Sequence, residues 1–167
     1  MDNCRSRGDH NGMTATSGPA FRLRLARPSD LDTLLALETA TFTSDLLSRR
    51  RMRHWIGARN GVFVVAVDAA DTVVGYGLAV SRRDSDSARF YSLAIAARAR
   101  GLGLGTRLLR DLQRRCRQAG FTRVHLEVAV DNQAAIALYT RLGFETLRRI
   151  PRFYEDGQDA WRMQKTL

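Results

Sequence analysis

Three glycines in the stretch RARGLGLGTRLL, residues 98–109, have a spacing suited to ligand binding. Gly101, Gly103 and Gly105 alternate with leucines where a strand-like segment passes into an apolar helical pattern. Glycines let a backbone approach a ligand closely, and the free N–H groups at a helix start bind anions. The stretch therefore predicts a loop that holds one anionic group, most often a phosphate.

Two common phosphate-binding loops do not fit this stretch. A P-loop requires Lys after the last glycine, whereas Gly105 is followed by Thr106 and Arg107. A dinucleotide fingerprint requires a further glycine, at the position of Thr106, and more strand–helix units behind it. We therefore disfavour both a P-loop and a nicotinamide site.

Glu127 is the second residue of chemical interest. In VHLEVAV, Val124, Leu126 and Val128 share one face of a strand, and Glu127 shares the other with His125. Helices are predicted on both faces, so a mid-strand carboxylate is costly unless it has a partner or lies in a wet cleft. Two interpretations stay open: a structural salt bridge with His125 or an arginine, or a residue of a reaction site.

The hydrophobic pattern predicts the elements that must position these groups. Strand patterns cover residues 21–26, 62–68, 72–80, 88–97, 122–130, 144–154 and 160–167, and helical patterns cover 27–42, 44–61, 104–119 and 131–142. Pro28 and Ser29 open the first helix, with Ser29 as the expected N-cap. The order β-α-α-β-β-β-α-β-α-β-β predicts an α/β fold, one mixed sheet with helices on its faces.

Composition favours one globular domain. The chain has 167 residues, of which 44% are hydrophobic and 26% charged. Residues 1–20 are expected to form a flexible tail without a secretion signal, and 21–167 the folded domain. There is no apolar run of about 18 residues, so no membrane span is expected. Cys4 and Cys116 form no disulfide framework or metal spacing, which favours a reducing cytoplasm, and Cys116 is predicted to fill the core.

The net charge of +10 comes almost entirely from arginine. Residues 89–117 hold eight arginines and a single acid, Asp111. Such an excess favours an anionic ligand or surface, although solvated helix faces explain most of these residues equally well. A non-catalytic nucleic-acid-binding protein stays an alternative, but there is no recognition motif and the arginines are not interleaved with aromatic residues.

Three motifs in order resemble the GNAT superfamily of N-acetyltransferases. RGLGLG (residues 100–105) is similar to its R/Q-x-x-G-x-G/A pyrophosphate loop, and LEVAVDNQAAIALYTRLGF (126–144) is similar to the block that follows. The ending FYEDGQDAWRM (153–163) resembles RimI-like protein N-terminal alanine acetyltransferases. The resemblance implies the GNAT fold, with two parallel central strands that splay apart, and acetyl-CoA as co-substrate without a metal.

The resemblance also implies which residues hold acetyl-CoA. Backbone groups of Leu93, Ala94 and Ile95 are expected along the pantetheine arm, where one N–H could polarise the thioester carbonyl. The pyrophosphate is expected at the loop, with Arg98 and Arg107 as further candidates to neutralise it. The implied loop residues are Arg100, Gly101, Leu102, Gly103, Leu104, Gly105 and Thr106. Asn132 resembles a cofactor-contacting residue, and it could equally be only a helix N-cap.

By the same resemblance Glu127 is the general base, which takes the amine proton directly or through water. Tyr139 occupies the position of the family's tyrosine that protonates the departing thiolate. Ile136, Tyr139 and Leu142 also recur at helical spacing, so the alternative is a tyrosine that only packs in the core. No motif places a base beside a Ser or Cys, so direct attack is expected rather than an acyl-enzyme.

The implied acceptor is a protein or peptide N-terminal α-amine. Two segments depart from the RimI-like pattern: TFTSDLLSRR replaces F-P-W-[ST], and Ala129 replaces the arginine of LEVR. The acidic loop of Glu155, Asp156 and Asp159 could offer a local counter-charge to a basic partner, although an ordinary hairpin turn is the simpler interpretation. The alternative is a small amine such as a polyamine or an antibiotic. The chain is expected to be a monomer or a homodimer.

Overall fold

The computed structural model describes residues 20–167, so the predicted tail lies outside the described residues except for Ala20. The strands are β1 Arg22–Leu25, β2 Gly61–Val67, β3 Val73–Val80, β4 Ser87–Ile95, β5 Arg123–Ala129, β6 Glu145–Ile150 and β7 Ala160–Thr166. The helices are α1 Leu31–Thr41, α2 Arg49–Trp55, α3 Leu104–Gln118 and α4 Gln133–Arg141. This order confirms the predicted sequence of elements.

Within the described residues the seven strands form one sheet in the order β1-β2-β3-β4-β5-β7-β6. Neighbouring strands are antiparallel except β4 and β5, which are parallel. That pair is hydrogen-bonded only at its beginning, where Ser87, Ala88 and Arg89 face residues 123–125. Beyond this point the two strands diverge, which confirms the splayed parallel pair and opens a gap in the middle of the sheet.

Helices cover both faces of the sheet. On one face α3 and α4 pack on a core that contains Leu108, Leu112 and Leu126. On the other face α1 and α2 pack on a second core with Leu34, Met52 and Tyr76. Strand alternation sets this division, since Val124, Leu126 and Val128 are buried in the first core while their neighbours are less buried.

Cys116 and the start of α1 test two finer predictions. Cys116 is fully buried, as expected of a core residue, and burial raises the pKa of its thiol to about 12. The expected Ser29 cap is wrong, because residues 28–30 form a short 3-10 turn and α1 begins at Leu31. Asp30 organises this turn instead, accepting a hydrogen bond of 2.7 Å from the Arg27 backbone N–H. No helix within residues 20–167 is long and apolar enough to cross a membrane.

Candidate active site

A cleft of about 560 Å³ lies where β4 and β5 diverge. Four of the predicted site residues line it: Leu93, Glu127, Asn132 and Tyr139. The wall also includes residues of α1, of the segment after α1 and of the β6–β7 loop. The gap in the sheet therefore brings the two predicted catalytic side chains to one cavity. Ala94, Ile95 and the glycine loop are not part of its lining.

Glu127 is held by two arginines that belong to the neighbouring strands. Its Oε2 accepts from Arg89 Nε at 2.7 Å, and its Oε1 accepts from Arg162 Nη2 at 2.8 Å and Nε at 3.1 Å. The Glu127 side chain is only 3% exposed, whereas those of Arg89 and Arg162 are 35% and 30% exposed. The salt bridge with an arginine, one of the two interpretations left open, is present, whereas His125 lies 3.0 Å from Ser87 Oγ through its Nδ1.

Neither arginine was singled out from the sequence. Arg162 reaches Glu127 because the antiparallel register of β5 and β7 places the two residues opposite one another. Arg89 reaches it from β4, two residues before a bulge in which Tyr91 is the extra residue. The guanidinium of Arg89 lies 5.2 Å from the centre of the Tyr91 ring and 6.0 Å from that of Phe153.

Tyr139 approaches the cleft from α4 on the opposite face of the sheet. Its ring packs edge-on against Phe144, 5.8 Å between ring centres, so part of the side chain does belong to the core. Burial raises its pKa above the ordinary value for a phenol. A hydroxyl that stays protonated at neutral pH is suited to donating a proton.

The glycine loop has the backbone geometry of an anion site. Gly101 and Gly103 both have φ of 75°, a left-handed conformation that favours glycine. Gly103 is the N-cap of α3, no side chain caps that helix end, and its first turn holds no acid. The first N–H groups of α3 therefore lack intrahelical partners. A Cβ on either glycine would meet no heavy atom within 4 Å, so the space in front of the loop is open.

The arginines near the loop differ in how firmly they are held. Arg98 Nη2 donates to Asp68 at 2.8 Å, so its charge is already compensated. Arg100 Nε donates to the Ile95 carbonyl at 3.2 Å, and Arg107 Nη2 to the Phe21 carbonyl at 3.0 Å. Neither charge is balanced by an acid within residues 20–167, which fits a loop that neutralises a pyrophosphate.

Asn132 is the N-cap of α4, since its Oδ1 accepts from the Ala135 N–H at 3.2 Å. The alternative interpretation of this residue as a cap is confirmed. It also lines the cleft, so capping and contact with a ligand are compatible.

A buried polar network that the sequence analysis missed lies on the α1 side of the cleft. Glu38 of α1 accepts from the Tyr76 hydroxyl and, at 2.8 Å, from the Leu47 N–H. The Tyr76 hydroxyl lies 2.9 Å from Ser92 Oγ on β4. Burial, and then the Glu38 carboxylate, raise the pKa of Tyr76. A signal existed, because Glu38 follows Leu34 by four residues and so falls on the apolar stripe of α1.

Acidic side chains mark the outer rim of the cleft. Asp45 lines it, and Glu155 lines an adjoining pocket with Tyr154 and Asp156. Hydrogen bonding to Asp45, and then its charge, raise the pKa of Glu155. Asp159 of the same loop is instead bound by Arg149 at 2.7 Å. Residues 20–167 contain no group of three His, Cys, Asp or Glu side chains that could hold a metal.

Comparison with known proteins decides the family. The model of the Acetyltransferase (GNAT) family matches residues 31–144. The chain belongs to the GNAT family. It is therefore an N-acetyltransferase, and its mixed sheet with the split parallel pair is the GNAT fold.

Relatives of this GNAT enzyme include N-terminal acetyltransferases. It is 33% identical over 132 residues to the N-alpha-acetyltransferase RimI of Mycobacterium tuberculosis, covering 75% of this chain and 73% of the relative. The crystal structure of the ribosomal-protein-S18-alanine N-acetyltransferase of Escherichia coli has the same fold, with a TM-score of 0.77, 23% identity, and coverage of 88% and 94%.

A third similar protein acts on a different class of acceptor. The phosphinothricin acetyltransferase of Sinorhizobium meliloti, solved in complex with AcCoA, is 26% identical with a TM-score of 0.75 and 88% coverage of both chains. The resemblance to RimI-like enzymes is confirmed, and the similar proteins are named for more than one kind of acceptor.

Proposed function

We propose that this GNAT enzyme transfers the acetyl group of acetyl-CoA to the N-terminal α-amine of a protein or peptide. One observation carries the proposal: Glu127 and Tyr139, from opposite faces of the sheet, line the single cleft where β4 and β5 diverge. A carboxylate and a phenol on two sides of one cavity can remove a proton from an incoming amine and return one to a leaving group.

The reaction balances with these two groups. The neutral amine nitrogen attacks the thioester carbonyl carbon, a C–N bond forms and the C–S bond breaks. The extra proton on nitrogen passes to Glu127, and the thiolate takes the Tyr139 hydroxyl proton, which solvent replaces. Because both carboxylate oxygens of Glu127 accept from arginines and its side chain is almost covered, we propose that the proton reaches it through a water molecule.

Direct attack is favoured over an acyl-enzyme. Cys116 is the cysteine of the described part of the chain, and it is buried in the core with a pKa raised to about 12. A protonated, inaccessible thiol is a poor nucleophile. A buried free thiol also fits the proposed location, the reducing cytoplasm.

Acetyl-CoA is proposed to lie across the loop and the cleft. The free N–H groups from Gly101 to Thr106 would hold the pyrophosphate, and the edge of β4 from Leu93 to Ile95, unpaired with β5, would hold the pantetheine arm. The open space in front of Gly101 and Gly103 leaves room for such a group.

An α-amine suits this site better than a lysine. With a pKa near 7.7–8.0, roughly a tenth of an α-amine is neutral at pH 7, against well under a thousandth of a lysine side chain. A carboxylate can assist the α-amine more readily, because a larger share of that amine is already neutral.

Intact-mass spectrometry tests the proposal. Peptides that begin with free Ala, Ser, Thr or Met are incubated with enzyme and acetyl-CoA, beside matched peptides with a blocked N-terminus and one internal lysine. We expect an added acetyl group only on the free N-termini. Glu127→Gln should abolish it, while circular dichroism confirms that the variant is folded.

A small amine is the second candidate, because Glu38 and Asp45 add acidic groups to the cleft that the sequence analysis did not place there. The similarity to a phosphinothricin acetyltransferase points the same way. If no peptide is acetylated while acetyl-CoA binds, the peptide proposal is wrong. Acetylation of a polyamine or an amino-acid antibiotic would then support this candidate.

A further inference from the structure

We propose that Arg89 selects acceptors that carry a carboxylate within their first two residues. This inference rests on the proposed function, since it concerns the peptide that the cleft receives. Nothing in the sequence motifs assigns Arg89 a role, and it stands beside the predicted base Glu127.

The first reason is that Arg89 has unused donors in the cleft. Its hydrogen bond to Glu127 is made by Nε alone. Within residues 20–167 its two Nη groups have no hydrogen-bond acceptor, and the side chain is 35% exposed and lines the cleft. Arg162, by contrast, donates hydrogen bonds to Glu127 from both Nε and Nη2, and it is not part of the cleft lining.

The second reason is that the guanidinium is held in place before any acceptor binds. Glu127 fixes its Nε edge, and the rings of Tyr91 and Phe153 lie 5.2 and 6.0 Å from it. A pre-oriented guanidinium loses little entropy on binding, and its planar pair of donors matches a carboxylate.

The third reason is that charged groups of both signs line the cleft. Arg51 lies 5.3 Å from the centre of the Tyr91 ring, which Arg89 also contacts, and it has no ion pair within the described residues. The cleft lining holds the guanidinium of Arg89 together with the carboxylates of Glu38, Asp45 and Glu127, so both signs of charge face the same cavity. An acceptor with an ammonium group and a nearby carboxylate complements both signs.

Distance along the peptide limits where the carboxylate can be. The amine must lie near Glu127, to which Arg89 is directly bonded. An extended peptide advances about 3.3–3.6 Å per residue, so only side chains of the first two residues stay within reach of the Nη groups.

Steady-state kinetics with matched peptides tests the inference. Two pairs are compared: Ala-Glu against Ala-Gln, and Asp-Ala against Asn-Ala, each followed by the same neutral sequence. We expect the acid of at least one pair to have about tenfold higher kcat/KM, mainly through a lower KM, the gain typical of a charge-assisted hydrogen bond. Arg89→Gln should remove this preference, and Arg89→Lys should keep part of it.

Arg162→Gln is the matched control, because Arg162 binds the other oxygen of Glu127. Its kcat should fall for acid and amide peptides alike, and the preference should remain. A merely structural role of Arg89 would give the same result for both variants.

The wild-type comparison decides the matter even if Arg89→Gln fails to fold. Equal kcat/KM for acid and amide peptides would overturn the inference while leaving the proposed function standing, as would a preference that survives Arg89→Gln. Absence of acetylation on every peptide would instead overturn the proposed function, and this inference with it.

Discussion

Two buried carboxylates of this protein are each held by arginine, and they differ in what surrounds the pair. Asp30, 7% exposed, accepts from Arg24 Nη1 at 2.7 Å and Nη2 at 2.9 Å, and also from the Arg27 backbone. Glu127 has a similarly covered side chain, but its two arginines are about one third exposed, against 12% for Arg24.

The difference separates a structural ion pair from one suited to a site. The Asp30 pair joins β1 to the turn before α1, away from the cleft, and Arg24 is bonded bidentately. The Glu127 cluster lies at the gap in the sheet, and Arg89 keeps free donors there. Burial of a carboxylate therefore says little about function here. Donors that open onto a cleft distinguish the functional candidate, because the Nε of Arg24 also lacks a hydrogen-bond partner within the described residues but is buried.

The largest effect is expected from Glu127→Gln. Loss of the base should lower kcat by about 10²–10⁴-fold, the usual contribution of general base catalysis. The unfolding free energy should change by less than about 1 kcal/mol, since the two freed arginines are partly exposed and can be hydrated. Peptide kinetics measure the loss of kcat, and urea unfolding measures the change in unfolding free energy. A folded variant with near-normal kcat would reduce Glu127 to a structural residue.

Tyr139→Phe should lower kcat by about 10²-fold with little change in KM. Because burial raises the pKa of Tyr139, its proton stays on the hydroxyl, and the wild-type kcat should show no loss from this group below about pH 10. A pH–rate profile measures this. An alkaline fall near neutrality that disappears in the variant would contradict the role of a proton donor.

Asp30→Asn tests the other carboxylate, and its effect should fall on stability. The change removes the bidentate partner of the nearly covered Arg24 and leaves it only Asp71, 3.5 Å from its Nε, which costs about 3 kcal/mol of unfolding free energy. The kcat of the folded variant should stay within about twofold of the wild type, since transition-state contacts are untouched. Chemical unfolding and peptide kinetics, run on the same preparation, separate the two quantities. A large loss of kcat here would remove the contrast between the two regions.

The pH dependence of stability sharpens the same contrast. The hydrogen bonds from Arg24 hold the pKa of Asp30 below its ordinary value. The ionised Asp30 therefore stabilises the fold fully at pH values above its unfolded-state pKa of about 3.9. This stabilisation is lost as the pH falls through the lower folded-state pKa. The difference in unfolding free energy between wild type and Asp30→Asn should shrink on acidification. A difference that grows as the pH falls would contradict this assignment.

Gly103→Ala should have the smallest effect. A side chain at φ of 75° costs about 1–2 kcal/mol, and the Cβ points into open space rather than into the protein. We expect a modest loss of stability and a several-fold rise in the KM for acetyl-CoA, with KM for the peptide unchanged. The matched control is Gly120→Ala, at the other end of α3 with φ of 94°, which should lose stability alone.

The sequence predicted those features that depend on local pattern. Alternation along β5 assigned Glu127 to the face opposite Leu126, and the glycine spacing placed the loop at the start of α3. The partners of Glu127 were not predictable in this way. Arg162 is placed by the register of β7 on β5, and Arg89 by the parallel register of β4 on β5, and neither depends on nearby residues in the chain.

Local reasoning also failed where two polar residues competed. Ser29 and Asp30 are both good cap residues, but the Asp30 side chain does not cap α1, because its carboxylate binds Arg24 and the Arg27 backbone N–H instead. Glu38 was missed because its partners, Leu47 and Tyr76, come from a loop and a distant strand.

The most direct test of the central claim uses one peptide that carries both a free N-terminal alanine and an internal lysine. After incubation with enzyme and acetyl-CoA, tandem mass spectrometry locates the acetyl group. We predict that it lies on the α-amine and that Glu127→Gln and Tyr139→Phe each suppress it. An acetyl group on the lysine, or on the α-amine at an undiminished rate in folded Glu127→Gln, would contradict the account.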